Sequence, residues 1–562
     1  MSLLNDAACV ESSEVLSRFR NDVYACLKVR ADALFELADA LLCEPGPVRS
    51  PVDLTLTPEY RRGHGALYSG LNHGRIDGEG LRQVLAGLPL PRWPDGRIVL
   101  AVDVSPWLRS DAPCSAERLF CHVYGRAKSA SQFIPGWPYS FVAALEMGRT
   151  SWTAPLDVVR LGPADDATAV TAAQLRGVIE RLIAAGQWCS GDPDVLIVAD
   201  AGYDITRLAY VLRDLPVELL GRIRSDRVLR LPPPPRRYDP KGGRPPKHGG
   251  EFALADPATW PEPAVTTATD TTHYGKAETR AWDRLHPRLT HRAAWLDHDG
   301  ELPLIEGTLI RLKVEHLPGD RDAPPVWLWS SKTGATSADV DRCWQAFLRR
   351  FDLEHTYRFW KQTLGWTRPK LRAAQAADRW TWLLIIVHTQ LRLARRLTED
   401  LRHPWEKAAA WGQLTPARVR RGFRNLRPAL AQPAGAPKPR CRLRPATPSA
   451  AGAPVKGPAP RGLRTAPGRN RWPEWRYWRC WTKRWRSVQS CGCGPNTGSA
   501  IPVTDPNTGP RACVRTGRQA KVRQGPLCRA VHHRVWMISA CSSLHARPRA
   551  QAGSVSGEAP GL

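Results

Sequence analysis

The chain has 562 residues, room for several folded units and a large buried core. It carries 81 Lys or Arg against 53 Asp or Glu, a formal charge of +28, and 42% of it is apolar or aromatic. That surplus excludes an ordinary acidic cytosolic enzyme and points to a polyanion, usually nucleic acid. The charge is uneven: residues 431–562 hold 23 Lys or Arg and 3 Asp or Glu. A moderately basic globular part is thus followed by a strongly basic appendage. Seven of the 14 Cys lie in the appendage, and the other seven show no CxxC pairing, so disulfides are not implied and a reducing cytoplasm is expected. Asn5, Asp6 and Glu11 interrupt the start, so no signal peptide is expected. The longest apolar run, near Trp380–Val387, is too short to cross a bilayer, and no membrane partner is expected.

Residues 12–44 read as one helix, with Val15, Phe19, Val23, Cys26 and Leu27, then Leu34, Leu37, Ala38 and Leu41, at helical spacing. Two shorter helical patterns follow, Pro58–Leu71 and Gly78–Leu88, before the rigid connector Leu88–Pro94. Arg61, Arg62, Arg75 and Arg82 of this helical region are either phosphate contacts or solvated arginines. The texture then changes. Arg97–Asp103 is an apolar strand closing on an acid, and Arg118–Tyr124 and Tyr139–Leu145 read as strands. Val158–Leu161 is a further strand or an extension. A helix is expected at Ala169–Ala185, a second strand closing on an acid at Asp194–Asp200, a helix at Ile205–Leu212 and a strand at Val217–Ile223. This alternation indicates an α/β sheet. Leu231–Arg237 and Gly242–Gly250 are turn-rich and basic, and residues 252–325 hold β-like pieces at Thr266–Tyr274 and Leu304–Val314, as in an inserted β-rich subdomain. Val326–Ser330 returns to core-strand character. Ser337–Leu364 reads as one long helix and Leu371–Leu401 as another. From about Gln432 the chain holds 17 Pro and 14 Gly without periodicity, a composition that argues against a packed core.

Asp103 and Asp200 each end an apolar strand of one expected sheet, where ligands and catalytic groups of α/β folds collect. A carboxylate there is costly to desolvate and needs a cation or a partner. Its alternative use is to cap the following turn. On the helix after Ser337, Phe347, Arg350, Glu354, Arg358 and Lys361 are spaced by 3, 4, 4 and 3. At ~100° per residue all five fall within about 40° of Glu354. One acid among three bases on such a stripe is either a solvated face with i,i+4 ion pairs or a helix pointing its charges into a cleft.

These residues resemble a known family. Phe347, Arg350, Glu354 and Lys361 are similar to the Y-x2-R-x3-E-x6-K signature of bacterial insertion-sequence DDE transposases, with Phe in place of Tyr. Asp200-Ala-Gly-Tyr203 resembles the D-x-G-[FY] element around the family's second acid, and Asp103 occupies the first-acid position. The runs around Arg97–Leu108, Gly136–Leu145, Gly221–Leu231 and Asp352–Leu371 resemble actinobacterial transposases of the insertion-sequence family numbered seven hundred and one, over roughly residues 10–440. The resemblance implies a ribonuclease-H-like catalytic core with a β-rich insertion before the glutamate helix; together with the pattern and composition, the expected fold is α/β with a helical N-terminal domain and a disordered basic C-terminal tail. The expected boundaries are 1–92 for a helical DNA-binding domain, 93–223 for the first part of the core, 224–325 for the insertion, 326–402 for the glutamate helix and its successor, 403–440 for a basic extension and 441–562 for the tail.

It further implies Asp103, Asp200 and Glu354 as catalytic and metal-ligating residues holding two Mg²⁺ or Mn²⁺ ions. Arg350, Lys361 and Arg358 would hold DNA phosphates beside them. Asp204 is the rival to Asp200, but stands where it could cap the helix at Ile205. The partners implied are double-stranded DNA, as transposon ends and target, and a second copy of the chain. The implied location is cytoplasmic and nucleoid-associated. Gly243-Arg-Pro-Pro-Lys247 resembles an AT-hook, which makes Arg244 and Lys247 candidate phosphate contacts, or it is an ordinary basic loop. Trp260, Trp282 and Trp295 are the insertion's own core, or one of them stacks on an end base. The tail, where the resemblance stops, reads as translated out of the ancestral frame. Two other activities stay open, a ribonuclease-H-like structure-specific nuclease and a DNA-binding repressor without catalysis.

Overall fold

The computed structural model describes residues 3–437, apart from 113–114, 124–131, 149, 236–241, 243–245, 272–273, 293–294, 296–297, 317–322 and 411. The expected basic tail, 441–562, lies outside the described residues, as does Arg244. In chain order the helical start comprises α1 (Leu3–Cys26), β1 (Leu27–Val29), α2 (Ala31–Cys43), α3 (His64–His73), β2 (Arg75–Ile76) and α4 (Gly78–Ala86). The single helix expected over 12–44 is therefore broken. Leu27–Val29 pairs antiparallel with β2, and Arg30 takes a left-handed conformation, φ 60°, between the two helices. Periodicity could not show this, because apolar residues continue at helical spacing on both sides of the break.

The central sheet is built from β3 (Val99–Leu108), β4 (Leu119–Val123), β5 (Gln132–Leu145), β6 (Thr153–Arg160), β7 (Val195–Ala199) and β8 (Val217–Ile223). Helix α5 (Ala167–Ala184) joins β6 to β7, and α6 (Ile205–Val211) joins β7 to β8. Side-chain caps start both helices: Asp166 accepts from Thr168 and Ala169, and Asp204 from Arg207. The lateral order β6-β5-β3-β7-β8, antiparallel across the first three strands and parallel across β3-β7-β8, makes a mixed α/β sheet consistent with a ribonuclease-H-like endonuclease fold. Strand β3 does not close on its acid as expected. It runs five residues past Asp103, because β5 continues to pair with it as far as Leu108↔Gly136.

After β8 come the hairpin strands β9 (Val228–Arg230) and β10 (Glu251–Ala253), then β11 (Val265–Thr271), β12 (Gly275–Leu285), β13 (Gly307–Val314) and β14 (Val326–Ser330). These last four continue the central sheet, β14 pairing with β8 and β11 forming the far edge. The chain then forms α7 (Ser337–Arg349), α8 (Phe351–Gln362), α9 (Ala374–Leu393) and α10 (Pro416–Leu426). A capping box starts α7: Thr336 accepts from the Asp339 amide while Asp339 accepts from the Thr336 amide. Gly365, at φ +71°, supplies the left-handed turn after α8.

The long helix expected over 337–364 is two. At Arg350 the amide is shared between Ala346 O and Phe347 O, both at 3.2 Å, and Leu353 N bonds back three residues to Arg350 O. Backbone angles there stay helical, φ −52° and ψ −33°, so the break is a tightening that only hydrogen-bond pattern reveals.

Two apolar cores lie on opposite faces of the sheet. One gathers Val99, Ala101, Trp107, Leu196 and Val198 with α1, α2 and α7–α10. The other gathers Leu100, Val102, Ile197 and Ala199 with α5, α6 and the insertion's Phe252, Trp282 and Trp295. Trp282 and Trp295 are buried and Trp260 packs against Phe252, Trp282 and Trp327, so these aromatic rings are core.

Candidate active site

The site follows from strand register. Parallel pairing of β3 with β7 runs from Val99↔Leu196 to Val102↔Ala199. One residue further on, Asp103 and Asp200 stand side by side. Alternation along each strand sends both toward the same core, since Val99, Ala101 and Asp103 share one parity and Leu196, Val198 and Asp200 the other strand's equivalent. That is the face on which α8 lies, and α8 carries Glu354.

The three acids converge on one arginine. Arg350 Nη1 lies 3.4 Å from Asp103 Oδ2, while Arg350 Nη2 lies 3.0 Å from Glu354 Oε1 and 3.9 Å from Asp200 Oδ2. The Arg350 side chain is only 2% exposed. Its guanidinium also rests on the Phe351 ring, 4.7 Å from the centroid, and near Phe347, at 5.7 Å. Asp103 Oδ1 accepts from the Val104 amide. Asp200 Oδ1 is buried and makes no hydrogen bond.

Electrostatics reflect this crowding. Burial pushes Asp103 up to about 7, against the pull of Arg350, and the charges of Asp200 and Glu354 add to the rise. Burial likewise raises Glu354, opposed by Arg350. Burial alone would lower Arg350, but the charges of Asp103, Asp200 and Glu354 outweigh it and hold the guanidinium above its usual value.

The other expected contacts divide. Lys361 lies close enough to Asp103 to feel its charge, while burial pulls its ammonium down to about 8. Its Nζ sits over the Trp366 ring, 5.5 Å from the centroid. Arg358 is exposed on α8. Lys247 is held within the insertion by Glu301, at 3.0 Å, and by the Leu302 carbonyl. Asp204 does what its position suggested and caps α6, with Thr206 as a further donor. Two tyrosines missed as site residues complete the wall. Tyr357 donates to the Asp103 carbonyl at 3.2 Å, and Tyr203 lies buried beside Asp103 and Asp200. Tyr203 was legible as part of the D-x-G-Y match. Tyr357 was visible only as an aromatic near the charged stripe.

Three hard carboxylate oxygens and an open lone pair on Asp200 fit a divalent cation in donor chemistry. Yet among the described residues no group of three or more His, Cys, Asp or Glu is disposed to hold an ion. The Arg350 guanidinium lies between the three acids.

Asp103 within β3, Asp200 just past β7 and Glu354 on α8 make a carboxylate cluster at one face of an α/β sheet. Residues 22–288 match a family described as DDE superfamily endonuclease, and the match supports a DDE transposase-like family and a transposase-type nuclease. The matched stretch contains Asp103 and Asp200, and Glu354 lies beyond its end. No curated protein matches the chain. Among the described residues no helix is long and apolar enough to cross a membrane.

Proposed function

We propose that the chain is a DNA transposase of insertion-sequence type that binds terminal inverted repeats, cleaves there and joins the 3′-hydroxyl ends to target DNA. The observation that carries this reading is the meeting of Asp103, Asp200 and Glu354 around Arg350, four groups drawn from two strands and a helix more than 150 residues apart from the second acid. The remainder of the expected signature supports it: Lys361 beside Asp103, and Phe347 packed against Arg350.

In this reading Asp103, Asp200 and Glu354 hold two Mg²⁺ or Mn²⁺ ions, which when bound supply Lewis-acid relief of charge on the leaving oxygen and an acidified water. The chain's own groups do the positioning. Asp103 and Asp200 are fixed by the β3–β7 register, and Tyr357 ties the Asp103 backbone to α8. Arg350 and Lys361 approach a phosphodiester from the covered side, the first through its planar fork and the second as a point charge. Exposed Arg358 extends the phosphate track along α8. Pairing of two transposon ends is assigned to a homodimer, as the resemblance implies, in a cytoplasmic, nucleoid-associated setting.

The test uses the full chain, a supercoiled plasmid carrying the element's ends, and Mg²⁺. Nicking at the ends followed by joining of 3′-hydroxyl ends is expected. Nicking without joining would leave a structure-specific nuclease, and end binding without either would leave a repressor.

A further inference from the structure

We propose that Arg350 is a built-in counter-ion for the three acids, one that divalent cations displace, and thereby a positioning residue of the proposed reaction. The inference rests on reading Asp103, Asp200 and Glu354 as ion ligands, and goes beyond it by assigning what fills their shared space before any ion arrives. Three carboxylates in common reach repel one another in a half-buried site, and a cation among them relieves that repulsion. Among the described residues, the cation ion-paired to all three is Arg350.

Its fit is nevertheless poor. The contact to Glu354 is good at 3.0 Å, the one to Asp103 is stretched to 3.4 Å, and the one to Asp200 is 3.9 Å, beyond a hydrogen bond. Arg350 Nε is buried without a hydrogen-bond partner, and so is Asp200 Oδ1. One flat guanidinium spans three acids and saturates none of them. A compact divalent ion concentrates more charge on carboxylate oxygens and completes its oxygen shell with water. Divalent ions and the guanidinium contend for the same carboxylate oxygens, so ion binding and guanidinium binding oppose each other by linkage. Placement of Arg350 at the α7–α8 break, with aromatic rings of Phe347 and Phe351 beside it, gives the released side chain an apolar ledge. Its fork then becomes free for phosphate oxygens. Acids exchange a guanidinium for ions, and the guanidinium exchanges carboxylates for DNA.

The experiment measures Mn²⁺ binding without DNA, from the free-ion electron paramagnetic resonance signal, together with Tm, on the full-length wild type, Arg350→Gln and Asp200→Asn. Without metal, Arg350→Gln is expected to melt roughly 5 °C or more below wild type, because it leaves buried acids unpaired. It is expected to bind Mn²⁺ roughly tenfold or more tightly, and saturating Mn²⁺ closes the gap in Tm. A merely structural arginine would give the opposite sign, since a loosened site binds ions less well. Equal or weaker Mn²⁺ binding by Arg350→Gln, with binding abolished in Asp200→Asn, would overturn the counter-ion role while leaving the ion ligands standing. Unchanged Mn²⁺ binding in Asp200→Asn would overturn both. Should Arg350→Gln fail to fold, Arg350→Lys carries the same comparison: its ammonium cannot span three acids, so tighter Mn²⁺ binding than wild type is again expected, and unchanged binding overturns the role.

Discussion

Two arginines are fully buried among carboxylates, and they could hardly be treated more differently. Arg20, on α1, makes paired bonds to Asp39 at 2.8 and 3.0 Å, reaches Gln390 Oε1 at 2.6 Å and places Nε 2.7 Å from the Ala431 carbonyl. Asp39 gains a further partner in Arg427 at 3.0 Å. Arg350 spreads the same charge over three acids at longer range and leaves polar atoms on both sides unmatched. A satisfied buried network specifies a packing arrangement. An unsatisfied one is strain that the surrounding sheet and helices maintain, the condition expected where a ligand completes the set.

The comparison breaks most visibly if the acids around Arg350 prove dispensable. Asp103→Asn, Asp200→Asn and Glu354→Gln are each expected to cut Mg²⁺-dependent plasmid nicking by roughly a thousandfold, the worth of several kcal/mol of charge stabilisation. Near-wild-type nicking by any of the three removes it from the site. Next in size, Arg20→Ala leaves Asp39 with one fewer cation in a dry interior and is expected to cost about 3–5 kcal/mol. Calorimetry reads this as a Tm lower by roughly 4 °C, with nicking per folded molecule unchanged. A loss of nicking without a loss of Tm would erase the contrast between the two arginines.

A third effect sharpens the picture of the helical core. His388 on α9 is completely buried, with Nε2 3.2 Å from the Thr153 carbonyl, and burial pulls it down to about 3. The unfolded chain takes up a proton near 6.5, whereas the folded chain refuses it until about 3. Its contribution is therefore full above 6.5 and is lost as pH falls, by on the order of 1 kcal/mol per unit. Urea unfolding between pH 7 and 5 checks the slope, and His388→Gln, which keeps a donor for Thr153, is expected to flatten it. Smallest is Arg358→Ala, on the exposed side of α8. DNA affinity is expected to fall a few-fold and the salt slope by about 1, with Tm unmoved.

Much of this was legible beforehand. Asp103 and Asp200 stand out because apolar runs lead into an acid, and β8 falls on the residues expected, Val217–Ile223. Glu354 was legible through the spacing of its neighbours. Other features depend on partners far away in sequence. Strand β3 outruns its acid because β5 extends it, and α1 and α2 separate because Arg75–Ile76 pairs with the residues between them. Helix α10 was hidden in a stretch rich in arginine, because several of those arginines serve the fold: Arg420 donates to the carbonyls of Leu41 and Gly46, and Arg424 binds Glu59. Charge composition reads them as contacts for a polyanion, and only tertiary structure shows that they face inward. For Arg350 the i,i+4 pair with Glu354 was among the readings the spacing allowed, whereas its contacts with Asp103 and Asp200 depend on strands far away in sequence.

That inward turn of α10 has a consequence for synthesis. Helix α2 is almost wholly buried, yet α10, one of its partners, is made about 370 residues later. At ~5–20 residues per second the ribosome needs on the order of 20–70 s to deliver it. For that interval the face of α2 that α10 covers stays open to solvent, and a translation stall before Pro416 leaves that face to holdases and proteases instead of to its mate.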